Sequence, residues 1–231
     1  TDRWWFLRYH DPDPHVRVRI HIDRTEQTEA VYQWTRELRR HGRIADIVHD
    51  TYVPETGRFG PEASMTAVED LFVADSRAVQ AQLAAAGEAD HPLTWASTTR
   101  TWAAASMTDL AHHVLGGAED ARAWLITHAP RAATAREEAA RTIALTHPTT
   151  GAVADRVPAP IRRAWDIRAR AATTYTKALA DLGVDPAQVL PDLLHLHAAR
   201  LVGPEIDTER TCLALARGAA LSWTARWKAT P

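Results

Sequence analysis

One segment near the N-terminus carries residue types that could bind an anion. Every second side chain is basic, namely His15, Arg17, Arg19 and His21. The positions between them are apolar, namely Val16, Val18, Ile20 and Ile22. This period of two predicts a β-strand with one cationic and one apolar face. Paired arginines on such a face can hold a carboxylate or a peptide backbone, and the alternative is the ordinary solvated face of a half-buried sheet.

Further along the chain, polar side chains fall within a segment stiffened by prolines and glycines. Tyr52, Glu55 and Arg58 lie in the stretch from Asp50 to Pro61. Functional groups concentrate on loops that a rigid scaffold positions, so this segment is a candidate part of a site. The alternative is a simple connection with a surface ion pair between Glu55 and Arg58.

Two histidines occur close to the C-terminus, in the run Leu194-His-Leu-His-Ala-Ala-Arg-Leu201. On a helix, His195 and His197 point about 200° apart, so they cannot share a metal ion as a pair four residues apart would. One of them can face a cleft and exchange protons near neutral pH, and a packed or solvated histidine is the alternative. No histidine or carboxylate spacing in the chain predicts a metal site.

These candidate groups need elements to position them. Alternation and aromatic content predict strands over 4–9, 15–22 and 44–53, with a helix between the last two. From about residue 63 the apolar spacing is helical to the end of the chain. We therefore expect one α+β domain, in which 1–61 is mainly strands and 62–231 mainly helical. The expected architecture is a small antiparallel sheet followed by a helical bundle.

Composition limits the class of protein. The net charge of −2 argues against a general nucleic-acid binder, and no apolar run approaches the length of a membrane span. Cys212 is the single cysteine, which is typical of a cytoplasmic protein and permits no disulfide within the chain. We expect it to be buried on a helix.

Taken in order, several of these segments resemble the C-terminal elimination domain of lantibiotic dehydratases and its stand-alone thiopeptide-type relatives. Residues 4–19 resemble the opening strands of that domain. Residues 52–60 with 67–76 resemble its central loop and following helix, and 165–201 resemble its closing helices. The resemblance covers essentially the whole chain and implies a small antiparallel sheet with a helical bundle. A lead-in strand usually precedes the segment that begins here.

The resemblance also implies roles for individual residues. In the family, two arginines and a histidine remove glutamate from glutamylated Ser or Thr. They correspond here to Arg19 or its neighbour Arg17, to Arg58 and to His195. Tyr52 and Glu55 are further candidates for proton transfer. The expected substrate-binding residues are His15, Arg17, His21 and Tyr175, and the resemblance implies neither a cofactor nor a metal.

The reaction itself is less closely defined by the resemblance. Pro61 replaces an expected glycine and Ala199 an expected asparagine, which weakens the case for a glutamate eliminase. We therefore expect a stand-alone, lyase-type pyridine synthase. It would join two dehydroalanines of a precursor peptide by a formal 4+2 aza-cycloaddition, with macrocyclisation and loss of the leader peptide. The alternatives are a stand-alone glutamate eliminase that makes dehydroalanine or dehydrobutyrine, and a non-catalytic scaffold that binds the leader peptide. The expected partner is the leader-bearing precursor, with other enzymes of the same pathway as further candidates.

Overall fold

In the computed structural model, which describes residues 2–87, 92–146 and 156–228, two strands precede a body of helices. The elements are β1 (Trp4–Tyr9), β2 (His15–Ile20), α1 (Thr25–Arg40), α2 (Thr56–Phe59), α3 (Glu62–Ala86), α4 (Pro92–Leu115), α5 (Ala118–His128), α6 (Arg136–Leu145), α7 (Ala159–Asp181), α8 (Pro186–Leu201) and α9 (Ile206–Lys228). The predicted α+β class, with a small antiparallel sheet, is confirmed. Within the described ranges, no helix is both long enough and apolar enough to cross a membrane.

The two strands form a hairpin that lies against the helices. Their antiparallel register sets Trp5 opposite Arg19 and Leu7 opposite Arg17, so these four side chains share one face. That face points toward α3 and α8, against which β1 packs. The apolar face lines a groove together with α1 and with Gln80 and Leu83 near the end of α3, and Val16 on it is 56% exposed. The arginine face therefore borders a space between the hairpin and the helices, although Arg17 itself remains exposed.

The strand expected over 44–53 is wrong, because these residues form neither a strand nor a helix. Two aspartates bond their own chain locally: the Asp46 carboxylate accepts from the N–H of Ile47, and the Asp50 carboxylate from that of Thr51. Such bonds compete with strand pairing. Val48, at 84% exposure, also lacks the packing that stabilises a strand. The residues before 62 therefore contain less strand than expected.

The helical body is organised around α3, which packs along α7 and also contacts α4 and α8. Apolar residues recur along α3 at three- and four-residue intervals, so a broad stripe including Val68, Leu71, Phe72 and Val79 is buried. Cys212 on α9 is fully buried, as expected, and burial raises the pKa of its thiol to about 12. The hairpin rests on one side of this body.

A cluster of charged side chains crosses the core, and we call Asp75, Arg168, His197 and Arg200 the Asp75 cluster. The Asp75 carboxylate accepts from Arg168 Nη1 at 2.9 Å, Arg200 Nη1 at 2.9 Å and His197 Nδ1 at 2.8 Å. Burial alone would raise the pKa of Asp75, but these three donors outweigh it and hold the pKa below its usual range. One carboxylate on α3 therefore joins α7 and α8.

Candidate functional site

A cavity separates the arginine face of the hairpin from the helical body. Its volume is about 100 Å³, which is room for a small chemical group rather than for a whole drug-sized ligand, and it opens to solvent. Its walls are formed by Trp5, Leu7, Tyr9, Arg17, Arg19, Tyr52, Val53, Glu55, Phe59, Met65, Phe72, Leu196 and Arg200. Four of the residues proposed from the sequence line it, namely Arg17, Arg19, Tyr52 and Glu55. The hairpin, the loop before α2 and helices α3 and α8 all contribute.

Both arginines of β2 face this cavity, so alternation was right to treat them as equivalent. The Arg17 guanidinium lies 4.1 Å from the centroid of the Tyr9 ring, and that of Arg19 lies 5.4 Å from the centroid of the Tyr52 ring. Ring stacking orients both guanidinium groups; Arg17 Nε also donates to His15 Nε2 at 3.2 Å, and the terminal N–H groups of Arg17 are left as its donors for a ligand. Among the described residues, neither arginine is in a salt bridge with a carboxylate. The cavity thus presents positive charge that an anionic ligand could neutralise.

The surroundings of Tyr52 disfavour a role as a base. Burial and a hydrogen bond with the Glu69 carboxylate raise the pKa of its phenol well above the ordinary value. A phenol that is this weak an acid stays protonated near neutral pH. Its ring also meets Trp5 edge to face, with the centroids 5.5 Å apart. We therefore assign Tyr52 to the orientation of Arg19.

Arg58 lies beside the cavity rather than in its wall. It sits on α2, where its Nη1 is 3.2 Å from Glu55 Oε2 and its Nε is 3.4 Å from Asp192 Oδ2. The side chain remains 44% exposed. The Glu55–Arg58 ion pair, which the sequence offered as the alternative to a functional role, is therefore present, and Arg58 bridges Glu55 to α8.

His195 lies one turn after Asp192 on α8, on the same side of the helix. Its Nδ1 is 2.8 Å from Glu209 Oε2 at the start of α9, and the ring is 49% exposed. The hydrogen bond to Glu209 is the largest influence on the pKa of His195, which is raised, while the nearby Arg58 charge acts to lower it. Because Glu209 engages Nδ1, Nε2 is the nitrogen available for proton exchange.

His197 points in the opposite direction, into the Asp75 cluster, where it is fully buried. The helical spacing of the two histidines anticipated this divergence. Of the two, His195 is therefore the one that can meet a ligand.

Two site residues could not be identified from the sequence. Glu209 follows His195 by fourteen positions and lies on another helix, so no local spacing connects them. Arg200 belongs to the C-terminal motif, but its burial and its place in the cavity wall depend on how the hairpin packs against α8. The sequence offered one signal for Arg200, namely a charged residue within an otherwise apolar stripe of a predicted helix.

Three of the expected substrate-binding residues do not line the cavity. His15 stacks on Tyr9 with the ring centroids 5.4 Å apart, and its Nδ1 bonds the Asp13 carbonyl. His21 follows the end of β2 and is exposed. Tyr175 is fully buried, and its hydroxyl donates to the Phe59 carbonyl at 3.1 Å. A buried side chain with this bond positions α2, so the expectation of direct substrate contact by Tyr175 is corrected.

The turn after α2 depends on Gly60, where φ is 89°. A Cβ at this position would overlap Ser64 Oγ and lie 3.2 Å from Leu182 Cδ1. We expect Gly60→Ala to lower the free energy of unfolding by about 1–3 kcal/mol, because the backbone conformation is nearly specific to glycine. Urea denaturation would measure the loss. Gly57→Ala is the control, since a Cβ there meets nothing within 4 Å; equal losses in the two variants would contradict the strain argument.

Comparisons with known proteins agree with this architecture. Residues 1–220 match the family model described as lantibiotic biosynthesis dehydratase C-term. Over 85 residues the chain is 34% identical to the subtilin biosynthesis protein SpaB of Bacillus subtilis, an alignment covering 34% of the chain and 8% of that protein. The crystal structure of the tRNA-dependent lantibiotic dehydratase MibB from Microbispora sp. 107891 matches with a TM-score of 0.82 and 25% identity, over 99% of this chain and 25% of that one. The chain spans a quarter or less of the length of these relatives.

Proposed function

The chain belongs to the lantibiotic biosynthesis dehydratase C-terminal family, and from that premise we propose that it eliminates glutamate from glutamylated Ser or Thr of a precursor peptide. The observations that carry the proposal are the cavity containing two arginines without carboxylate partners and a half-exposed histidine–glutamate pair, whose histidine lies on α8, the helix that forms part of the cavity wall. Positive charge in a partly closed cavity suits a reaction that releases a carboxylate.

The proposed reaction removes a proton from the modified residue and expels glutamate as the leaving group. His195 Nε2 accepts the Cα proton of the modified residue, and the electron pair of that C–H bond becomes the new C=C bond. The C–O bond to glutamate breaks, and glutamate departs as a carboxylate with the electron pair of that C–O bond. Arg17 and Arg19 stabilise the negative charge on the departing group, because preorganised donors are most effective where charge develops.

Glu209 positions the histidine for this role. Its carboxylate accepts from Nδ1–H, which fixes the tautomer in which Nε2 carries the free lone pair. The negative charge also makes His195 a stronger base, since it favours the imidazolium that forms after proton transfer. Arg58 lies close enough to limit this effect and can help to hold the substrate.

The pyridine synthase, which was the first expectation from the sequence, becomes the second candidate here. Ala199, four residues after His195 on α8, supplies a methyl group where the family pattern expects an amide. The donors of the cavity could equally polarise an amide oxygen during a cycloaddition of two dehydroalanines. In that reaction Arg17, Arg19 and Arg58 would bind substrate, and His195 would shuttle a proton.

Both reactions depend on an earlier step. The substrate is a leader-bearing precursor peptide, and elimination requires that a separate activity first attaches glutamate to it. Dehydroalanine formation must likewise precede a cycloaddition. We therefore propose that the chain acts after another enzyme of the same pathway.

Mass spectrometry of the purified protein with two peptides tests these proposals. One peptide is glutamylated at Ser, and the other already contains dehydroalanines. We expect the first to lose glutamic acid while keeping its leader. Release of the leader with a smaller cyclic product from the second would instead establish the cycloaddition, and binding of both without turnover would establish a scaffold. Near-normal turnover in each of His195→Ala, Arg58→Ala and Arg19→Ala would place the site elsewhere.

A further inference from the structure

We propose that Arg200 is a third anion-binding arginine of the cavity, and that its Nη2 contacts a carboxylate of the glutamyl group. The cavity donors expected from the sequence came from the hairpin and from α2, whereas Arg200 lies on the opposite wall, on α8. For the identity of the carboxylate, this assignment rests on the proposed elimination.

Two of the three guanidinium nitrogens of Arg200 are already engaged. Nε donates to the Phe6 carbonyl on β1, and Nη1 donates to Asp75 Oδ2, each at 2.9 Å. The side chain is 1% exposed, and among the described residues nothing accepts a hydrogen bond from Nη2. An unpaired donor in such a position is unfavourable unless a ligand or a water molecule satisfies it.

The location of the side chain indicates where such a ligand would sit. Arg200 and Leu196, one turn apart on α8, form part of the cavity wall. The guanidinium carbon of Arg200 lies 5.2 Å from the ring centroid of Phe72, another residue of that wall. With Nε directed to the hairpin and Nη1 to Asp75, Nη2 is the one nitrogen left without a partner, and it is buried, so a carboxylate in the cavity reaches it by displacing part of the wall.

A carboxylate is the ligand that best matches these donors. Arg17 and Arg19 approach the cavity from the hairpin, and Arg200 approaches it from the helices. The two hydrogen bonds of Arg200 fix its plane before a ligand arrives, so little side-chain freedom is lost on binding. Arginine N–H groups pair with carboxylate oxygens in strong, charge-assisted hydrogen bonds.

Arg168 provides a matched control within the same cluster. It is also 1% exposed and also donates to Asp75, but its Nη2 is satisfied by the Ser106 carbonyl and by Asp109. Arg168 is not part of the cavity wall. A purely structural role would make the two arginines behave alike.

The test is a calorimetric titration of the purified chain with glutarate, a dicarboxylate that needs no turnover to bind. We expect Arg200→Lys to weaken glutarate binding by about ten- to a hundredfold, the value of a hydrogen bond to a charged group. Arg168→Lys should retain the wild-type affinity. Equal affinities in the two variants, or no binding of glutarate to the wild-type chain, would overturn the assignment.

A second variant covers the outcome in which Arg200→Lys fails to fold. Leu196→Phe fills the cavity beside Arg200 and leaves the bonds of that arginine intact, so glutarate should bind more weakly to it. Unchanged affinity in folded Leu196→Phe would exclude a carboxylate at this place. Because glutarate binding and glutamate elimination are measured separately, failure of one does not imply failure of the other.

Discussion

Replacing His195 by alanine is expected to slow glutamate elimination by about a hundredfold to ten-thousandfold, the usual contribution of a positioned general base. The ring is half-exposed, so its removal leaves no buried hole, and the loss of stability should stay within about 1–3 kcal/mol, the cost of leaving the buried Glu209 carboxylate without this hydrogen bond. Single-turnover mass spectrometry with the glutamylated peptide would measure the rate. A loss of less than tenfold in a folded variant would mean that another group removes the proton.

The pH dependence of the same reaction follows from the Glu209 contact. Hydrogen bonding to Glu209 raises the pKa of His195 above 6.5, and the protonated ring cannot accept a proton. The rate should therefore increase with pH and level off above the raised pKa. Glu209→Gln keeps an acceptor for Nδ1–H but removes the charge, so the midpoint should move to lower pH.

Glu205→Gln is the matched control for that shift. Glu205 lies four residues before Glu209 and is exposed, and it takes part in no ion pair with His195. Its substitution removes an equal charge nearby without altering the hydrogen bond. A similar shift in both variants would indicate a general electrostatic effect, and no shift in Glu209→Gln would refute the role of the pair.

Replacing Asp75 by asparagine should lower the free energy of unfolding by about 3–5 kcal/mol, because loss of a buried carboxylate leaves buried cations without compensation. Arg200 would lose its one ion pair among the described residues, while Arg168 would keep Asp109. Urea denaturation measures the change through the midpoint of unfolding.

The control is Asp70→Asn on the same helix, α3. The Asp70 side chain is 58% exposed and pairs with Arg3. Loss of this surface ion pair should lower the free energy of unfolding by no more than about 1 kcal/mol. If the two substitutions lowered the free energy of unfolding equally, the Asp75 cluster would contribute no more to stability than a surface ion pair. A normal unfolding midpoint for Asp75→Asn would contradict the assignment more directly.

Local periodicity was sufficient for part of this site. Alternation placed Arg17 and Arg19 on one face because a strand has a period of two. Helical geometry separated His195 from His197 because residues two positions apart on a helix point about 200° apart. The strand over 44–53 failed because strand formation needs a partner and packing, which apolar content in the sequence does not supply.

The remainder of the site depends on contacts between distant parts of the chain. Glu209 meets His195 only because α9 begins beside α8, and Arg200 reaches the cavity only because the hairpin rests on α8. Tyr175 shows the reverse case, since it fits the family pattern and yet supports Phe59 from within the core. Such assignments require the packing of whole elements, which sequence spacing does not reveal.

The burial of Cys212 determines how the chain would respond to thiol reagents. A thiol reacts as its thiolate, and Cys212 is fully buried with a pKa raised to about 12, so a maleimide should leave the native protein unlabelled at neutral pH. A cysteine introduced in place of Val48, which is 84% exposed, would then be the single point of attachment. A fluorophore at that point could report the arrival of a labelled precursor peptide by energy transfer, with no need to remove the native cysteine.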